Sequence, residues 1–74
     1  MVPFSERLQE ARKCKGLKQK EVSEYLNIAW RTYQNYETGE RRPNFEILVA
    51  LADLFEVTTD YLLGRTDVPN GGNQ

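Results

Sequence analysis

Residues 19–43 read QKEVSEYLNIAWRTYQNYETGERRP, a pattern of two short amphipathic helices joined by a tight turn. In the first helix Val22 and Leu26 stand one turn apart on an apolar face, with Lys20, Glu21, Ser23 and Glu24 on the rest. Asn27 tolerates left-handed geometry and ends that helix, and Ile28 turns back inward. In the second helix Tyr33 and Tyr36 form a buried stripe, while Trp30, Arg31, Gln34 and Asn35 point elsewhere. An arginine and two amides on an outward helix face supply the groups that read base edges in a major groove.

Three more helices surround this pair. A first helix is expected near Ser5 to Cys14, with Ser5 as its N-cap, Glu6 in the first turn, and Phe4, Leu8 and Ala11 at successive turns. Gly16 stops it, after Lys13 and Lys15 have placed positive charge at its C-terminal end. The second helix spans about Lys18 to Leu26 and the third about Trp30 to Glu37, closed by Thr38 and Gly39. Glu40 to Pro43 is a loop, because the residue before a proline resists helical geometry. Asn44 caps a fourth helix reaching Phe55, whose Leu48, Leu51, Ala52 and Phe55 follow helical spacing. Thr58 caps a short fifth helix through Leu63, ended by Gly64. Arg65 to Gln74 reads as a flexible tail or the start of a linker, so the domain itself is placed at residues 1–64.

Composition limits what such a bundle can do. Seventy-four residues make one small domain near the lower size for independent folding, with roughly 60% of the unfolded chain's surface removed from water. The single cysteine, Cys14, has no internal disulfide partner, and the chain has no histidine. Most nucleophilic and metal-dependent catalysis is thereby removed, and no cofactor, metal or small-molecule site is evident. Met1 to Phe4 is followed at once by charged residues, unlike a secretory signal, and no apolar run approaches membrane-spanning length. A soluble, intracellular, non-enzymatic protein is expected.

Ten basic and eleven acidic residues give a net charge of −1, which argues against nucleic acid until their positions are considered. From Arg12 to Arg42 lie eight cations (Arg12, Lys13, Lys15, Lys18, Lys20, Arg31, Arg41, Arg42) and four anions (Glu21, Glu24, Glu37, Glu40), a balance of plus four. Everything outside carries Arg7 and Arg65 against seven carboxylates, or minus five. This polarity suits a basic face turned toward phosphate and an acidic back turned toward solvent.

The residues Gly16-Leu17-Lys18-Gln19, Val22, Leu26, Ile28, Tyr36-Glu37, Gly39, Arg42-Pro43 and Val57-Thr58-Thr59-Asp60-Tyr61-Leu62-Leu63-Gly64 resemble the lambda repressor-like, Cro-type helix-turn-helix family, also called XRE. The resemblance covers about residues 4 to 64. It implies an all-α, five-helix DNA-binding domain of bacterial or phage regulators, located in the cytoplasm and acting as a homodimer on a palindromic double-stranded operator. Helix two would cross the DNA backbone and helix three enter the major groove.

Position by position, the resemblance puts Trp30, Arg31, Gln34 and Asn35 on or beside base-contacting positions. Arg31 would suit a guanine and Asn35 an adenine. It assigns phosphate contacts to Gln19, Thr32, Thr38, Arg41 and Arg42, and a structural ion pair to Arg12 with Glu37. Trp30 has two readings: its indole covers a thymine methyl or packs beside a phosphate, or it anchors the fold or an interface. Arg41 and Arg42 have a competing role as surface partners of Glu40 or Glu37. Tyr61, Leu62 and Leu63 either face a second subunit or close the base of the core.

Three positions depart from the family pattern. Ala29 stands at the N-cap of helix three, Lys18 replaces a threonine cap of helix two, and Asn27 replaces the turn glycine. The expected function is that of a sequence-specific transcriptional regulator, a repressor above all. An alternative with the same fold is an antitoxin that binds a protein toxin and regulates its own promoter; the chain would also suit the N-terminal module of a longer regulator.

Overall fold

The computed structural model describes residues 3–69, and among these the chain forms five helices and no strand: α1 (Phe4–Cys14), α2 (Gln19–Leu26), α3 (Trp30–Thr38), α4 (Phe45–Phe55) and α5 (Thr59–Leu62). Leu8, Ala11, Val22, Tyr33, Tyr36, Leu51, Ala52, Phe55 and Leu62 make the buried core. Leu8, Val22, Tyr33, Leu51 and Leu62 are fully out of contact with water, each aliphatic member contributing roughly 1.5–3 kcal/mol of transfer free energy. Tyr33 and Tyr36 meet edge to face, with centroids 6.2 Å apart and planes at 83°, so α3 is gripped along the stripe opposite its polar face.

Local chemistry sets the helix ends. Asn27 adopts the left-handed conformation at φ 59°, and its N–H and that of Ile28 close back on the carbonyls of Glu24 and Ser23. The turn thereby reverses the chain within a few residues and leaves Ile28 packed against the core. Gly39, at φ 87°, ends α3 in the same way, since a side chain there would be strained. Asn44 and Thr58 each accept a hydrogen bond from the backbone N–H three residues on, Ile47 at 2.8 Å and Tyr61 at 3.0 Å. They are the capping side chains of α4 and α5.

Two features differ from expectation. Ser5 is not the N-cap of α1. The helix begins one residue earlier, at Phe4, with Pro3 in the cap position at φ −63° and no side-chain cap; the proline ring already fixes the angle that a helix start needs, and its carbonyl accepts from Arg7 N–H at 3.1 Å. The stretch after α5 is tied down over residues 65–69. Arg7, only 4% exposed, donates to the carbonyls of Thr66 at 2.9 Å and Tyr61 at 3.3 Å and to Asp67 at 3.0 Å, and its guanidinium lies 4.3 Å from the Tyr61 ring centroid. Thr58 N–H also donates to Pro69 O at 2.8 Å. The remainder of the expected tail, residues 70–74, lies outside the described residues.

Candidate nucleic-acid interface

The side chain that joins the turn to the rest of the domain is Glu37. Its carboxylate receives Arg12 Nε at 2.6 Å and Nη2 at 3.2 Å, Gln19 Nε2 at 2.9 Å, and the Tyr33 hydroxyl. Arg12 Nη1 goes on to the carbonyl of Leu17 at 2.9 Å, and Gln9 donates to the Glu37 carbonyl at 3.0 Å. One buried carboxylate thus binds α1, the start of α2 and α3. Burial alone would raise the Glu37 carboxyl, but hydrogen bonds from Arg12, Tyr33 and Gln19, with the Arg12 charge, outweigh it and hold the group below the usual carboxylate range. The Tyr33 hydroxyl is pushed up, first by burial and then by its bond to Glu37. Arg12 is held more firmly protonated by its hydrogen bond to Glu37.

With Tyr33, Tyr36 and Glu37 turned inward, helical geometry sends Arg31, Gln34, Asn35 and Thr38 outward together. Arg31 is exposed, Gln34 and Asn35 partly so, and Trp30 at the first position is 47% exposed on the flank nearest α2. Thr32 is partly exposed on the opposite flank. Thr38 is engaged locally, its hydroxyl donating to Asn35 O at 3.1 Å and accepting from Glu40 N–H at 3.4 Å. Gly39 and Arg41 also give their N–H groups to Asn35 O, which fixes the path of the loop after α3.

Arg41 and Arg42 are exposed, and neither pairs with Glu37 or Glu40 among the described residues. The ion pairs there use Arg7, Arg12, Lys15 and Arg65 as cations. Lys13 on α1 enters none of them, nor do Lys18, Lys20, Arg31, Arg41 and Arg42 in and around the turn, α3 and the loop after it, where these five cations outnumber Glu21, Glu24 and Glu40, which are also outside any ion pair. Gln19, at the first position of α2, is partly buried with one amide N–H committed to Glu37, and so helps orient the hub. Lys18 N–H donates to Glu21 at 2.8 Å, so the first turn of α2 is closed by its acidic third residue and not by the lysine side chain. Ala29 sits at the cap of α3 with extended geometry and no side-chain hydrogen bond, leaving that helix's first amides open.

The three apolar residues considered for an interface separate. Leu62 is wholly buried in the core and Tyr61 is partly buried under Arg7, which leaves Leu63 exposed at 43%. Sequence patterning did not single out Phe45, which is 85% exposed and shares a groove with Leu63, or Val49, one turn along α4 from Phe45 and 50% exposed. Phe45, Leu48, Leu63, Phe4, Pro3, Pro43 and Arg42 line a groove of about 440 Å³. No described helix is long and apolar enough to cross a membrane.

The helix-turn-helix family profile HTH_3 matches residues 8–62. The HTH-type transcriptional regulator ImmR of Bacillus subtilis is 46% identical over 65 residues, covering 88% of this chain and 51% of that protein. AnsR of the same organism, also an HTH-type transcriptional regulator, is 50% identical over 60 residues, covering 81% and 52%. The crystal structure of a transcriptional regulator from Listeria innocua superposes with a TM-score of 0.77 at 37% identity, covering 85% of this chain and 61% of that one. The chain spans about half the length of these curated relatives. By profile, sequence and fold, the chain belongs to the helix-turn-helix family.

Proposed function

We propose that this chain is the DNA-reading head of a transcriptional repressor, with α3 laid in the major groove of a palindromic operator. The observation that carries this reading is the outward face of α3. Arg31, Gln34 and Asn35 share it, a buried hub holds the helix in place, and unpaired cations precede it in α2 and follow it in the next loop. Arg31 offers a bidentate fork to guanine O6 and N7, and Asn35 a donor and acceptor to adenine. Lys18, Arg41 and Arg42 grip phosphate and set register without specifying sequence, with Gln19, Thr32 and the Thr38 backbone adding neutral contacts.

The reading includes a homodimer, because one short helix contacts too few base pairs for a unique site, and two related by a twofold axis read half-sites about 34–36 Å apart. The exposed apolar residues Leu63 and Phe45, which share a groove with Arg42, are its proposed contact, with Val49 one turn along α4 extending the patch. Repression follows by occlusion of the promoter.

Selection of the folded chain against random duplexes at moderate salt tests the proposal. Enrichment of a palindrome with two equivalent half-sites is the expected result. Recovery of a pool no richer in any sequence than the input would refute it. Light scattering across concentration, with Phe45→Asp as the comparison, tests the dimer: the parent grows in mass with concentration and the variant stays monomeric, whereas equal behaviour removes that face.

A further inference from the structure

Trp30 stands at the first position of α3, and the ammonium of Lys20, at the second position of α2, lies 5.8 Å from its indole centroid. Gln19, the neighbour of Lys20, reaches inward to Glu37, so Lys20 and Trp30 occupy the outer lip of the seam where α2 meets α3. Lys20 forms no ion pair among the described residues. An exposed indole on a first helical turn has several staggered conformations open to it. An ammonium drawn to the ring face narrows that choice, and does so from the neighbouring helix of the motif.

The held indole has a specific chemical character. It presents a broad apolar surface with one N–H donor and no acceptor. The apolar feature a major groove displays is the C5-methyl of thymine. We infer that Lys20 is a positioning residue that holds the Trp30 indole against the C5-methyl of a thymine in each half-site, while its charge faces the neighbouring phosphate. This rests on the DNA reading proposed above.

The experiment uses the enriched operator with each thymine of a half-site replaced singly by uracil, which removes the methyl and leaves base pairing intact. One replacement per half-site weakens the parent by about fourfold, the weight of one methyl group returned to water. Lys20→Met, or Lys20→Gln if the first variant does not melt cooperatively, abolishes that thymine preference, and Lys20→Arg keeps it. Trp30 is the only tryptophan of the chain, so its fluorescence reports the contact without DNA. Acrylamide quenches it more readily in Lys20→Met and equally in Lys20→Arg. A parent indifferent to every uracil, or a Lys20→Met variant with undiminished thymine preference, overturns the inference while the DNA reading stands. A selection that enriches no sequence overturns both.

Discussion

Arg12 and Glu37, 25 residues apart, face each other in a two-pronged ion pair at 2.6 and 3.2 Å, with side chains only 13% and 3% exposed. The pair ties α1 to α3 beside the packing of the core. Its carboxylate also receives Gln19 and Tyr33, so a change at either end disturbs the placement of the whole turn.

Removing one partner leaves the other charge buried. Arg12→Leu and Glu37→Gln are each expected to lose about 3–5 kcal/mol of unfolding free energy in urea titrations. A domain of this size holds on the order of 4–11 kcal/mol in total, so both variants approach instability. A loss under 1 kcal/mol would mean that the pair behaves as a surface contact.

The same cluster sets two limits of pH stability. The Glu37 carboxyl is lower in the folded state, so its contribution is complete above the unfolded value of about 4.3 and is lost as pH falls through the folded value. The Tyr33 hydroxyl is raised, so its contribution is complete below about 10 and is lost as pH rises beyond that. Urea unfolding from pH 3 to 11 should therefore show a plateau with two falling limbs. Tyr33→Phe should flatten the alkaline limb; an unchanged alkaline limb in that variant would remove Tyr33 as its source.

Ala29 offers a gain in place of a loss. Its backbone already has the extended conformation of an N-cap, at φ −67° and ψ 144°, and lacks only an accepting side chain. Ala29→Ser is expected to stabilise the domain by about 0.5–2 kcal/mol through a hydrogen bond to the first turn of α3. Thermal melts of the two proteins measure it, and a lower midpoint for the serine variant contradicts it.

Arg31 and Arg42 should separate in binding assays. Arg31→Ala relaxes preference at one base position per half-site, worth ~1–3 kcal/mol, and leaves the others intact. Arg42→Ala weakens operator and random DNA alike and makes the salt dependence shallower by about one phosphate contact per subunit. Equal sequence preference in the parent and Arg31→Ala would take Arg31 off the reading face.

Much of the fold is legible in the sequence, since its determinants are local. Val22 and Leu26, Tyr33 and Tyr36, and the run from Leu48 to Phe55 announce helices by spacing; Asn27, Gly39, Asn44 and Thr58 mark the ends. Ser5 misleads because a serine three residues before a helical pattern looks like a cap, while Pro3 starts the helix by its own fixed angle. Glu56 is harder still. It takes the left-handed conformation at φ 58° and pairs with Lys15 at 2.7 Å, and no residue preference announces a glutamate there.

The interface is legible to a lesser depth. Helical periodicity sorts α3 into an inward and an outward face, and so separates Arg31 and Asn35 from Tyr33 and Tyr36. It does not reveal that Gln19 turns to Glu37, that Lys20 lies over Trp30, or that Arg7 is buried against carbonyls 54 and 59 positions away. Those contacts join separate elements, and no period within one helix encodes them. Leu62 and Leu63 look equivalent as neighbours; packing buries one and leaves the other in water.

Methylation interference on the enriched operator tests most directly whether α3 reads the major groove. Methyl groups at guanine N7 protrude into that groove, and at adenine N3 into the minor groove. The predicted result is two clusters of interfering guanines about one helical turn apart, with one guanine in each ceasing to interfere for Arg31→Ala. Interference confined to adenine N3, or a guanine pattern identical in the parent and Arg31→Ala, would contradict a major-groove reading through this face of α3.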